Sequence, residues 1–187
     1  MIPLPDTKLT HSPPTIIRQL RASDLKYVLT DLTDVFVHTV NNGSPLGFLT
    51  PISRETARDY WISLIPELQP GGRILLIAAN EDGRIIGSGQ LALSQRQNSP
   101  HRAELQKLFV VRSARGQGVG ATLVHALHRV ARQHGRTLIT LSTRQGESPE
   151  GFYKSLGYKE AGVIPGWTIG PDGRSYDHVT LYHELGA

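Results

Sequence analysis

Cysteine is missing from the 187 residues altogether. Disulfides, thiolate metal ligands and a cysteine nucleophile go with it, and the chain fits a reducing compartment. Long apolar runs are missing too. The longest is Ile74-Leu75-Leu76-Ile77-Ala78-Ala79, far short of the roughly 20 residues a membrane span needs. The opening MIPLPDTKLTHSPP lacks the basic patch and apolar stretch of a secretory signal. Residues 1–13 read as a disordered lead-in to one domain over 14–187, and a cytoplasmic enzyme or binding domain is expected. Aromatic residues make up only 6%, and acids nearly vanish between Arg102 and Arg144, where Glu104 stands alone against eight Lys/Arg. That surplus suits a small polyanion. Nucleic acid fits less well, because Phe109 is the only aromatic residue in the segment.

What is present is a balanced globular composition, 39% apolar and 19% charged, with a net charge of +4. Thr15–Leu20 reads as a strand. Ser23 is the expected cap of a helix whose apolar positions, Leu25, Val28, Leu29, Leu32, Val35 and Phe36, share one face. A second helix is expected from Ser53 to near Pro66. Arg73–Asn80 and Ile85–Ser94 flank an Asp-Gly pair and read as a hairpin. Arg102–Val111 is a further strand, followed by a helix to about Gln133, a strand over Thr137–Thr143, a short helix over Pro149–Leu156, and strands from Val163 and over Tyr176–Glu184. The order predicts a mixed α/β sheet in one domain. His125 and His128 are spaced i, i+3 without a third ligand nearby, so they read as surface histidines and no metal is expected.

Between strand and helix lies RGQGVG, Arg115 to Gly120, with three glycines in six positions. A dinucleotide fingerprint needs G-x-G-x-x-G and an acid after the next strand. The spacing here is G-x-G-x-G, and no Asp occurs between Asp82 and Asp172. A phosphate loop of the Gly-Lys-Ser/Thr type is excluded by Gly120-Ala121-Thr122. What remains is R-x-x-G-x-G at a helix N-terminus, either a plain strand-to-helix turn or a cradle for a pyrophosphate, whose oxygens would meet free N–H groups and the helix dipole.

The stretch ELQKLFVVRSARGQGVG (Glu104–Gly120) and, after the next strand, GFYKSLGY (Gly151–Tyr158) resemble the GNAT superfamily of acetyl-CoA-dependent N-acetyltransferases. The agreement in element order extends over nearly the whole chain. More narrowly, those segments together with PGWTIGPDGRSY and GSPLGF are similar to the tabtoxin-resistance acetyltransferase branch. The resemblance implies the GNAT fold with splayed central strands, acetyl-CoA as donor, and a small-molecule amine acceptor, such as an amino-acid-like toxin or antibiotic. It leaves a homodimer open. By the same resemblance, the backbone of Gln117, Gly118, Val119, Gly120 and Ala121, with Arg115 and Gly116, binds the CoA pyrophosphate. Leu108, Phe109 and Val110 pair with pantetheine, and an N–H near Val110 polarises the thioester. Tyr153 assists departure of the thiolate, and Glu104 is the expected base. A tyrosine titrates near ~10 and a thiol near ~8.5, so hydrogen-bond donation suits Tyr153 better than proton transfer. The branch carries an aspartate where this chain has Ser142. Without cysteine no acetyl-cysteine intermediate can form, and direct attack is expected. A non-catalytic acyl-CoA-binding domain on the same fold stays open beside the enzyme.

Overall fold

Continuous apolar runs mark strands covered on both faces, and the run at Ile74–Ala79 is one of them: all six residues are buried. The structure, a computed structural model, describes residues 14–68 and 72–186. The expected lead-in, 1–13, lies outside the described residues. The elements follow the order β1 (Ile16–Leu20), α1 (Leu25–Asn41), α2 (Arg54–Ser63), β2 (Arg73–Ala79), β3 (Ile85–Leu93), β4 (Arg102–Val110), α3 (Val119–Gln133), β5 (Leu138–Arg144), α4 (Ser148–Ser155), β6 (Lys159–Ile169) and β7 (Ser175–Glu184), with one 3₁₀ turn at Arg112–Ala114. This is the expected mixed α/β order.

Most boundaries fall within two residues of the expected ones, and the exceptions have local causes. Asp24, not Ser23, stands at the N-cap position of α1, but its carboxylate accepts from the backbone N–H of Arg21 at 2.8 Å and makes no bond to the helix. Ser53 does cap α2, accepting from the N–H of Thr56. That helix ends at Ser63 and gives way to turns rather than running on toward Pro66. β6 begins at Lys159, because its register with β7 is already set at Lys159↔Tyr182.

All seven strands form one sheet in the order β1-β2-β3-β4-β5-β7-β6. One face is covered by α3 and α4, where Leu76, Leu105, Leu123, Leu127, Ile139, Tyr153, Val179 and Leu181 form a core. The other face is partly covered by α1 and α2, through Leu32, Phe36, Trp61, Leu75, Ile77 and Phe109. Each fully buried side chain of this size contributes roughly 1.5–3 kcal/mol, so the two cores fix the sheet between two unequal layers.

The sheet is not closed along its length. β4 runs parallel to β5 only from Arg102↔Leu138 to Glu104↔Thr140, three pairs in all. Beyond Glu104 the two strands part, and β5 continues antiparallel to β7 as far as Arg144↔His178. The half of β4 from Leu105 to Val110 therefore has one strand neighbour, β3, and one free edge. This wedge positions everything that follows.

Candidate active site

The free edge of β4 leads into the glycine loop. Gly116 and Gly118 both lie in the left-handed region, at φ +75° and +80°, which explains why glycine stands at each. A Cβ built on either would meet nothing within 4 Å, so the loop faces open space. Gly118 is the N-cap of α3, and the first helical bond runs from the N–H of Thr122 to its carbonyl at 3.0 Å. The N–H groups of Val119, Gly120 and Ala121 precede that bond and are the ones a helix leaves unpaired. Donors, space and dipole together fit an anion such as a pyrophosphate.

Gly120 has a different reason to be small. A Cβ there would lie 3.2 Å from the Phe152 ring, so this glycine lets α4 approach the start of α3. Phe152 in turn packs edge-on against Tyr153 at 5.2 Å. Tyr153 is 7% exposed, and its other side meets Tyr158 at 5.4 Å. Its hydroxyl has no hydrogen-bond partner among the described residues. Burial pushes its pKa above the usual tyrosine value, so the group stays a phenol, able to donate a hydrogen bond and reluctant to give up its proton.

Arg115 points elsewhere than at the open loop. Its Nε donates to the carbonyl of Val110 at 3.0 Å and its guanidinium to Ser44 Oγ at 3.1 Å. It thereby ties the last residue of β4 to the loop between α1 and α2. Gln117 braces the glycine loop from within, through its side-chain amide to the Ser113 carbonyl.

The strand itself is irregular where it leaves β5. Gln106 faces Gln90 and Phe109 faces Ser88, so β4 spends one residue more than β3 over this interval. The extra residue makes a β-bulge, and Lys107 within it has φ +49°, costing a side-chain-bearing residue roughly 1–2 kcal/mol. Leu108 and Val110 consequently pack toward α3, while Phe109 packs toward α1 and α2. Neither the bulge nor the conformation of Lys107 is marked by a glycine, and nothing in the residue spacing could have revealed it.

The face of the sheet beyond α2 carries polar side chains. Glu104 is exposed there, and it forms no ion pair with Arg102 or Lys107 among the described residues. Partly buried Arg73 pairs with Glu67 at 2.7 Å and donates to both Gln90 and Gln106. Tyr60 donates to Gln90 at 3.0 Å, and burial pushes its pKa up to about 12. Gln90 is fully buried, and its Nε2 lacks a partner among the described residues. Across the wedge, Thr140, Ser142 and Arg144 stand opposite Tyr182, Thr180 and His178. The guanidinium of Arg144 lies 3.9 Å over the Tyr176 ring.

One sequence reading changes. His128 is buried at 5% exposure, not on the surface, and its Nε2 lies 2.8 Å from the Tyr158 hydroxyl. No group of three potential metal ligands occurs among the described residues, and no described helix is long and apolar enough to cross a membrane.

Residues 37–158 match the sequence model of the acetyltransferase (GNAT) family. An uncharacterized N-acetyltransferase of Methanocaldococcus jannaschii is 33% identical over 66 residues, 35% of this chain and 29% of that protein, so the match spans less than a third of that relative. Glucosamine 6-phosphate N-acetyltransferase of Candida albicans is 25% identical over 142 residues, 74% of this chain and 89% of that one. Among solved structures, a Salmonella typhimurium protein determined with its cofactor acetyl-CoA superimposes with a TM-score of 0.70 at 17% identity, covering 93% of this chain and 95% of the other.

Proposed function

The chain belongs to the acetyltransferase (GNAT) family, and from that premise we propose that residues 14–187 move the acetyl group of acetyl-CoA directly onto a primary amine of a small polar molecule. The observation that carries this reading is the free edge of β4 beyond Glu104, ending in a loop of open left-handed glycines. A strand edge offers N–H and C=O groups to an extended chain such as pantetheine, and the loop offers N–H donors to the pyrophosphate that follows it.

Acetyl-CoA supplies a thioester, an acetyl group already activated toward an amine. The main-chain N–H groups from Gln117 to Ala121, with Arg115 and Gly116 beside them, hold the pyrophosphate. The edge formed by Leu108, Phe109 and Val110 aligns the pantetheine arm. An N–H near Val110 faces the carbonyl oxygen and stabilises the charge that develops there, a contribution worth roughly 3–4 kcal/mol in comparable sites. Glu104, lying in water, takes the amine's proton through the solvent rather than by direct contact. The Tyr153 hydroxyl donates to the sulfur as it leaves. Its burial supports this role, since a phenol held above its ordinary pKa donates a hydrogen bond without ionising.

The amino-acid-like acceptor extends this reading on the strength of the tabtoxin-resistance resemblance, a homodimer on that of the wider family, and a cytoplasmic setting on the composition of the chain. The test is release of free CoA thiol on addition of amines. Release that depends on the amine supports the reading, as does an unmodified protein mass after incubation with acetyl-CoA alone. Tight CoA binding with no turnover over a broad amine panel would replace it with a non-catalytic acyl-CoA-binding domain.

A further inference from the structure

Lys107 differs from the two part-buried arginines that flank the wedge. Arg73 has Glu67 within 2.7 Å, and Arg144 has Glu147 at 3.4 Å. The Lys107 ammonium has no carboxylate within ion-pair distance among the described residues. It donates to the carbonyl of Leu46 and lies 5.2 Å and 5.6 Å from the ring centres of Phe48 and Tyr60. An ammonium carries three donors, and one carbonyl uses one of them. A half-buried charge without a counter-charge is costly. Burial, assisted by the neighbouring Arg73, lowers the pKa of this lysine.

The surroundings show how strongly the fold imposes this placement. The bulge brings two consecutive side chains, Gln106 and Lys107, to the face that carries Arg73, Gln90 and Tyr60. Leu46, whose carbonyl receives the ammonium, is the other described non-glycine residue with positive φ, at +50°. A Cβ on Gly47 would lie 2.9 Å from Lys107 Nζ, so glycine there also makes room for the ammonium. Pinning a loop requires a donor and not a charge; an uncharged amide would serve without the cost of desolvating an ion. The orphaned amide of Gln90 adds a second unused donor to the same polar layer.

We infer that Lys107 recognises an anionic group on the acceptor, and that the acceptor is a zwitterion whose carboxylate or phosphonate-type anion meets the caged ammonium while its amine faces the thioester. The inference rests on the acetyl-transfer reading above. A cation cushioned by two aromatic rings and one carbonyl gains a full ion pair in a partly dry site, where such pairs are stronger than at an open surface.

The experiment uses the full chain and a series of ω-amino acids from glycine to 6-aminohexanoate, each against its primary amide, with aminoalkylphosphonates as a second anionic arm. Thiol release gives kcat and KM for each. At the best chain length the anion should exceed its amide by about tenfold or more in kcat/KM. Lys107→Met should lower the anion at least tenfold more than the amide, chiefly through KM, and Lys107→Arg should restore part of the difference. Lys107→Gln replaces the Met variant if the latter does not fold. Equal rates for acid and amide at every length would overturn the inference, as would an equal loss for both in Lys107→Met, the result expected of a loop pin. Whichever anionic arm is preferred identifies the anion. Calorimetry of the CoA-saturated protein with the same compounds reads recognition without turnover. An anion preference that Lys107→Met abolishes, with no thiol release in any assay, would keep the anion site and end the acetyl-transfer reading. Equal affinities for anion and amide would end the anion site.

Discussion

Tyr153 illustrates how one side chain is prepared by what it lacks. Its ring is fixed by Phe152 and Tyr158, while its hydroxyl spends nothing on the fold. Tyr153→Phe should therefore leave the melting temperature nearly unchanged and lower the rate of thiol release by about 100-fold, the lower end of the range for assistance by a positioned acid. Measured kcat with unchanged acetyl-CoA affinity checks this; an unaltered kcat would remove Tyr153 from the chemistry. Because burial raises its pKa, no alkaline decline in rate should trace to its ionisation. Arg115 makes the opposite point. The family resemblance implies a phosphate ligand at this position, whereas the guanidinium is already engaged by Val110 and Ser44 and holds the loop between α1 and α2 against the end of β4.

Among elements, the glycine loop separates into two kinds of glycine. Gly118→Ala leaves free space around the new methyl but forces φ +80° on a residue with a Cβ, so it should cost about 1–2 kcal/mol and weaken CoA binding. Gly120→Ala has no such backbone strain, and its methyl would press on Phe152 at 3.2 Å; it should disturb α4 and hence kcat before it disturbs CoA affinity. Calorimetric titration of CoA against both variants, with kcat beside it, distinguishes them, and identical profiles would show that the two glycines act alike. The loop, the strand before it and α4 were legible in the sequence because each has a local signature: left-handed glycines, an apolar run, a helical period closed by Gly157 at φ +86°. The wedge was expected from family resemblance alone, since strand pairing is decided between distant residues. The bulge was not legible at all. Lys107 occupies a conformation that glycine usually marks, and what holds it there is a carbonyl 61 residues away in sequence. His128 was misread for a similar reason: its place on α3 looked exposed until Tyr158 and His183 closed over it.

At the scale of the whole molecule, that histidine contributes a pH dependence. His128 is neutral in the fold, its pKa lowered to about 4 by burial, with His183, His125 and Arg132 adding repulsion. The unfolded chain takes up its proton below about 6.5. Stability from this group is therefore complete above pH 6.5 and is lost progressively as pH falls toward 4, because the unfolded state then binds the extra proton. Melting temperatures at pH 7.5, 6 and 5 should fall more steeply for the native protein than for His128→Phe; parallel curves would assign the acid sensitivity to other groups. The wedge has its own consequence at this scale, and it is mechanical. Two half-sheets meet over three residue pairs, a joint roughly 7 Å long, while the free arm of β4 from Glu104 to Val110 extends roughly 20 Å. The joint is a short fulcrum for a long lever, so half an ångström of displacement between Ala103 and Ile139 becomes about three times that at the mouth. Ala103→Leu, in the buried core beneath the joint, should then shift acetyl-CoA affinity more than a bulky change on the exposed surface of β6 does. The width of the reactive gap is set by the three pairs at which the two strands still meet.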